Sequence, residues 1–419
     1  MICDKGQGRA IPDDRAGNDL RSGGMHVLDR RKAMSITPLF RLAFRPFFLG
    51  GCLLALLAIP LWLLALAGDA GWQPAGGWLA WHRHELLFGF ALAIIGGFLL
   101  TAVQTWTGRP GISGAPLAVL AGLWLGARLA WLFNLPWPLL AVLELSFPLA
   151  VAGLMGWTLW KVRQQRNYPI VLVLLLLTLA DGLSLYGLLR GDEGWQRQAV
   201  LTGLWLVAAM MGLIGGRVIP FFTQRGLGRT EAVKPWPWLD YLLLAGSALV
   251  ALLYASSVAL MPSLWVGLVF ALLGLGHLLR LVRWHDPGLW RVPLLWSLHL
   301  AYAWLAVACL GMALWHFGVP LNPSLAVHAL TVGAMGGLIL AMIARVSLGH
   351  TGRPLTPPKG MTLAFSLLNL ACLSRVLLVL IWPYAALWLA SLCWTLGLGV
   401  YLWRYAPMLW RARVDGHPG

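Results

Sequence analysis

The sequence predicts an all-α, polytopic membrane bundle of about twelve spans, and three observations carry that reading. Composition comes first: the 419 residues are 59% hydrophobic and 11% charged, too little charge to solvate the surface of a soluble domain of this length. Second, apolar runs of roughly 20 residues recur along the chain, the length of a transmembrane helix; a β-barrel would need short alternating segments. Third, one stretch repeats. His84 is followed, after 22 intervening residues, by Thr107-Gly108-Arg109-Pro110, and His328 leads at the same spacing to Thr351-Gly352-Arg353-Pro354. A weaker copy lies between them, where Arg217, Thr223 and Arg225 align with Arg345, Thr351 and Arg353.

In chain order, residues 1–36 are polar and basic with no apolar core that could act as a cleaved signal, which predicts a disordered cytoplasmic tail. A membrane domain follows over 37–406. Its spans fall at about 45–67, 81–104, 115–134, 137–160, 169–190, 197–220, 237–256, 261–282, 292–316, 325–348, 362–381 and 384–405. Residues 407–419 form a second cytoplasmic tail. Lys and Arg collect in alternate loops, around Arg109, Arg163, Arg229, Arg283 and Arg353 and at both ends. The intervening loops, near Asp69, Asn134, Ser256, Asn322 and Trp382, are nearly free of them. The positive-inside rule then makes both termini cytoplasmic.

Because spans two, six and ten carry the related stretch, the repeating unit is four helices used three times. A major-facilitator transporter repeats after three or six helices instead. Three four-helix arcs resemble, in topology alone, the catalytic subunit of haem–copper oxidases, a likeness that does not fix function.

A net charge of +16 would suggest nucleic acid in a soluble protein. Here it reflects basic loops on one membrane face, and no nucleic-acid partner is expected. Walker, dinucleotide-binding and HExxH signatures are absent. The five cysteines show no CxxC or CxxCH spacing and read as small packing residues.

Seven of ten histidines lie in or at the ends of spans, where ionisable groups are costly and default to functional hypotheses. His84 and His328 begin matching spans from one face and suit axial ligation of a haem. His82, two positions from His84, points elsewhere on the helix and is an alternate ligand or interfacial. The glycines near both, among them Gly89 and Gly333, would admit a macrocycle or a neighbouring helix. His316 reads as a solvated cap. In the other membrane half, His277, His299 and His350 lie at comparable depth, a ligand set for copper or a second haem. Tyr302, one turn beyond His299, is a candidate catalytic donor of protons or electrons.

Arg128 and Glu144 flank one turn at similar distances and should meet as a buried ion pair. Arg375 shares its membrane half with Asp181, and Arg128 or Arg375 could hold haem propionates. Arg41, Arg45, Arg217, Arg345 and Arg353 gather at the opposite face, either to anchor an anion or to mark the basic inner surface.

Phe44-Arg-Pro-Phe-Phe48, Trp81-His-Arg-His-Glu85, Gly216-Arg-Val-Ile-Pro-Phe-Phe-Thr223, His328-Ala-Leu-Thr-Val-Gly333 and Arg345-Val-Ser-Leu-Gly-His-Thr-Gly-Arg353 resemble the NnrS family from about residue 38 to the last span. The resemblance implies a twelve-span inner-membrane protein containing haem and copper, tied to nitric oxide metabolism and nitrosative stress. It makes His82, His84, His328 and His350 the motif histidines. The function it implies is binding or turnover of nitric oxide, or a related small molecule, at an intramembrane metal site. If the chain is an enzyme, it is an oxidoreductase fed by a quinol or a soluble electron donor. A transporter or metal exporter without redox cofactor, and a haem-based sensor or assembly factor, stay open at the level of sequence.

Overall fold

The computed structural model describes residues 34–231 and 233–417. The expected N-terminal tail lies almost wholly outside the described residues. Twelve helices are long and apolar enough to cross a membrane. They are α1 (Phe44–Ala67), α2 (Gly77–Thr107), α3 (Ala115–Leu132), α4 (Trp137–Lys161), α5 (Gln165–Leu189), α6 (Glu193–Gly226), α7 (Pro237–Ala255), α8 (Leu264–Trp284), α9 (Pro293–His316), α10 (Pro323–His350), α11 (Met361–Leu380) and α12 (Pro383–Trp410). The all-α membrane bundle read from composition is therefore what forms, and no strand occurs among the described residues.

Several helices outrun their apolar windows because polar residues cap them. At the start of α6 the Asp192 carboxylate accepts from Trp195 N at 3.0 Å, and before α10 the Asn322 side chain accepts from Ser324 N at 2.9 Å. The repeated Thr-Gly-Arg-Pro stretch turns out to be a helix stop. Thr107 and Thr351 each turn their hydroxyl back onto the carbonyl four residues earlier, both at 2.6 Å. Gly108 and Gly352 then take φ of 67° and 75°, a left-handed conformation that ends a helix at little cost only in glycine. Thr223 in the middle copy makes the same bond to Ile219 O at 2.9 Å, though α6 continues to Gly226.

Successive helices pack as neighbours and α12 closes the ring on α1. The three motif helices form its inside: α2 touches α6, and α6 touches α10. Their central windows are 78%, 67% and 67% buried, against 33% for α7. Lipid-facing positions are apolar, as at Val119, Leu252 and Trp265. Buried tryptophans stitch the ring: Trp394 donates to Ala55 O and Trp124 to Gly89 O, each at 2.9 Å.

The repeat reaches into the backbone. Immediately after His84 and His328, α2 and α10 widen into π-helical segments, Glu85–Ala91 and Ala329–Gly336. A π segment inserts a residue into the helical turn and re-aims the side chains around it, and such segments recur at functional sites. Glycines there serve helix packing: a Cβ on Gly333 would lie 2.4 Å from Trp304, and one on Gly336 would lie 2.6 Å from Trp394.

Candidate functional site

At the start of α2, His82 and His84 sit two positions apart and serve different places. His82 lines a cavity of about 510 Å³, and His328 lines the same cavity from α10. His84 is fully buried among charged side chains of α2, α3, α4 and α5. His84 and His328, expected together, thus lie in different surroundings, and it is His82 that shares a cavity with His328. A two-residue offset puts the imidazoles on opposite sides of the helix, and the sequence did not show which side faced α10.

The cavity has the chemistry of a cofactor pocket: largely apolar walls with a few convergent polar groups. The His82 ring stacks on Trp62, centroids 4.9 Å apart, and its Nδ1 makes no hydrogen bond. On the other side His328 Nδ1 lies 2.7 Å from Ser324 O, a contact in which the ring nitrogen donates. That bond orients the ring and leaves Nε2 as the atom with a free lone pair, the usual posture of a metal-ligating histidine. Arg83, Arg197 and Arg375 supply positive charge around the same cavity, and Arg375 donates to the Ser324 hydroxyl at 3.1 Å. Of the two arginines expected at propionates, Arg375 is here; Arg128 is elsewhere.

Arg128 belongs to the His84 group. It pairs with Glu144, as the spacing around the intervening turn predicts, and its Nε lies 3.2 Å from Glu85. Trp131 donates to Glu144 at 2.9 Å and stacks on His84 at 4.0 Å. The two nitrogens of His84 face Glu85 Oε1 at 3.0 Å and Asp181 Oδ1 at 2.9 Å. Both can donate only when the ring carries two N–H groups. Even then three carboxylates (Glu85, Glu144, Asp181) face two cations, so one negative charge is left over. Asp181 Oδ2 is buried without a partner. His84, Glu144 and Asp181 each offer a ligand atom within 4.8 Å of the others, and this is the one such group among the described residues.

The three histidines of the other membrane half do not converge. His277 Nδ1 contacts the Tyr302 hydroxyl at 2.8 Å, and Arg280 donates to that hydroxyl at 3.0 Å and to Asp240 at 2.5 Å. His299 bonds to Leu295 O of its own helix at 3.0 Å. His350 packs against Phe44, under a chain end held by Arg413 on His350 O. Equal depth did not mean a shared direction, because each ring turns to a different partner: Tyr302, its own helix's Leu295 O, and Phe44. His316 is likewise buried, accepting from Ser263 N at 3.2 Å and stacked on Phe270, and is no solvated cap.

The basic residues of that face divide in the same way. Arg41 donates to Ile36 O and Met34 O. Arg45, fully buried, holds Leu409 O and Arg411 O and so fastens α1 to the end of α12. Arg345 stacks on Phe222, its guanidinium 4.0 Å from the ring centre. Arg217 donates to Asn167 at 3.1 Å, and Arg353 to Thr351 O at 3.4 Å.

Sequence reasoning gave no role to Glu85, Asp181, Ser324, Arg83 or Arg197. For the two acids the signal existed, since a carboxylate inside a span needs a partner; for the others nothing in the spacing marks a cavity wall. The four described cysteines outside the N-terminal segment are free and buried, as packing residues are. A comparison with curated proteins gives no match. The family model described as NnrS protein matches residues 38–413, nearly the whole chain, and with the helical ring and its repeated histidines in view, the chain belongs to the NnrS family.

Proposed function

We propose that this member of a nitric-oxide-related family of membrane proteins would hold a haem in the cavity lined by α2 and α10, with His82 and His328 as the residues that would ligate it, and that it binds or turns over nitric oxide in protection against nitrosative stress. The observation that carries the reading is the pair of imidazoles lining one cavity of about 510 Å³, one of them held by a backbone carbonyl so that Nε2 is left to coordinate. The cavity fits the group in polarity as well. Its walls are mostly apolar, and Arg83, Arg197 and Arg375 offer the positive charge that carboxylate side arms need. A haem bound there would supply an iron centre able to take a small diatomic ligand in place of one of the two imidazoles.

The chain's own residues do the rest. Ser324 O fixes the His328 tautomer, Trp62 stacks on the plane of His82, and the cavity walls around them are mostly apolar. Copper, the second metal implied by the resemblance, finds no set in His277, His299 and His350. The donor set that fits is His84, Glu144 and Asp181, where one imidazole and two carboxylates suit a divalent ion and the surplus negative charge calls for a cation or a proton. Tyr302, bonded to His277 and Arg280, is a candidate proton donor at a distance from that set. The protein sits in the inner membrane with both termini cytoplasmic, by the positive-inside rule. Its electron donor, if it turns over substrate, is a quinol or a soluble protein.

The test is an optical spectrum of the purified full-length protein with metal analysis, before and after reduction and exposure to nitric oxide. A low-spin haem signal lost in His82→Ala and His328→Ala but kept in His84→Ala supports the reading. Folded protein without stoichiometric haem removes it and leaves the transporter reading.

A further inference from the structure

The second cavity, of about 400 Å³, opens between α5, α6, α7 and α8 toward the face on which both described chain ends lie. Three arginines and one carboxylate line it: Arg166, Arg217, Arg280 and Asp240. Arg280 is buried and paired with Asp240, its Nη1 bonded to Gly212 O at 2.9 Å, and its Nε has no partner. Arg217, half-buried, is tied to Asn167 at 3.1 Å, a neutral acceptor that leaves its charge uncancelled. Three guanidinium groups against one carboxylate leave two positive charges at the cavity.

Two helices also begin there. The first turns of α5 and α7, carrying Pro169 and Pro237, line the opening, so both present the positive ends of their dipoles to it. The remaining walls are mostly apolar, Leu213, Leu243 and Leu244 among them. An anionic head carrying hydrocarbon is the ligand that these walls match.

The geometry points to a binding site for one anionic phospholipid, its phosphate between Arg166 and Arg217, with the buried Arg280–Asp240 pair behind them, and its chains along α6 and α7. Basic pockets between transmembrane helices on one face recognise such headgroups. The site is separate from the haem cavity and does not depend on it.

The experiment is native mass spectrometry of the full-length protein released from micelles containing phosphatidylglycerol, phosphatidylcholine, or inorganic phosphate alone. One retained phosphatidylglycerol per chain is expected, with retention weakened about fivefold by each of Arg166→Gln and Arg217→Gln. Arg163→Gln, an exposed charge outside the cavity, should leave retention unchanged. Equal retention of both lipids, or an equal loss in Arg163→Gln, overturns the proposal. Binding of inorganic phosphate with the same arginine dependence and no lipid retention overturns the lipid assignment. If Arg217→Gln fails to fold, the exposed Arg166→Gln decides alone.

Discussion

His328 Nδ1 lies 2.7 Å from the carbonyl oxygen of Ser324, one turn back on the same helix. The helix itself therefore orients the imidazole, and the Ser324 hydroxyl, 3.2 Å from the same nitrogen, is free to accept from Arg375. For the proposed haem, Ser324→Ala, which keeps the carbonyl, should leave the optical spectrum of the purified protein nearly unchanged. His328→Ala should lower haem affinity by far more than the 10–100-fold typical of losing an outer partner. Loss of haem in the serine variant would show that the hydroxyl, through Arg375, matters more than the ring's backbone tether.

Arg128 is the one permanent cation among three buried carboxylates. Arg128→Met should destabilise the protein by about 3–5 kcal/mol, because removing one partner of a buried pair leaves the others unpaid for. Thermal unfolding in detergent measures it, and an unchanged midpoint would mean that a bound cation already neutralises Glu85 and Glu144.

The Tyr302 hydroxyl is shared by His277 and Arg280. Tyr302→Phe leaves both with one fewer partner inside the bundle and should cost about 1–3 kcal/mol in the same unfolding assay.

Glycines on the inner and outer helices should respond in opposite ways. A Cβ at Gly333 meets Trp304 at 2.4 Å and the Cys372 sulfur at 2.7 Å, so Gly333→Ala should cost about 1–3 kcal/mol by overpacking. At Gly153 on α4 a Cβ meets nothing within 4 Å, so Gly153→Ala should stabilise its helix by about 0.5–1 kcal/mol. A neutral result at Gly333 would place α9 and α10 farther apart than their packing indicates.

Outside the spans, Arg229 grips Asp286 with two hydrogen bonds, at 2.9 and 3.0 Å. These bonds, and one from Gly288 N, hold the Asp286 carboxyl below its usual pKa. A depressed carboxylate contributes stability that is present above the unfolded-state pKa and fades as pH falls through the folded one. The loop joining α8 to α9 should therefore loosen only in acid below the usual carboxylate range, an effect absent in Asp286→Asn. Hydrogen exchange of the loop amides across an acid pH series reads it out.

The number of spans and their order were legible in the sequence, because in lipid every backbone group must bond within its own helix and apolar length alone marks a crossing. The pairing of Arg128 with Glu144 was legible too, since a short turn fixes which residues of two helices stand level. The meaning of the Thr-Gly-Arg-Pro copies was not; they terminate helices through a hydroxyl and a left-handed glycine. Nor could spacing show that His82 and His84 would face different surroundings, or foresee that His277, His299 and His350 would each turn to a separate partner. Depth in the membrane follows from counting residues along one helix. The direction a side chain faces depends on how that helix is rotated against its neighbours, which only the folded ring decides.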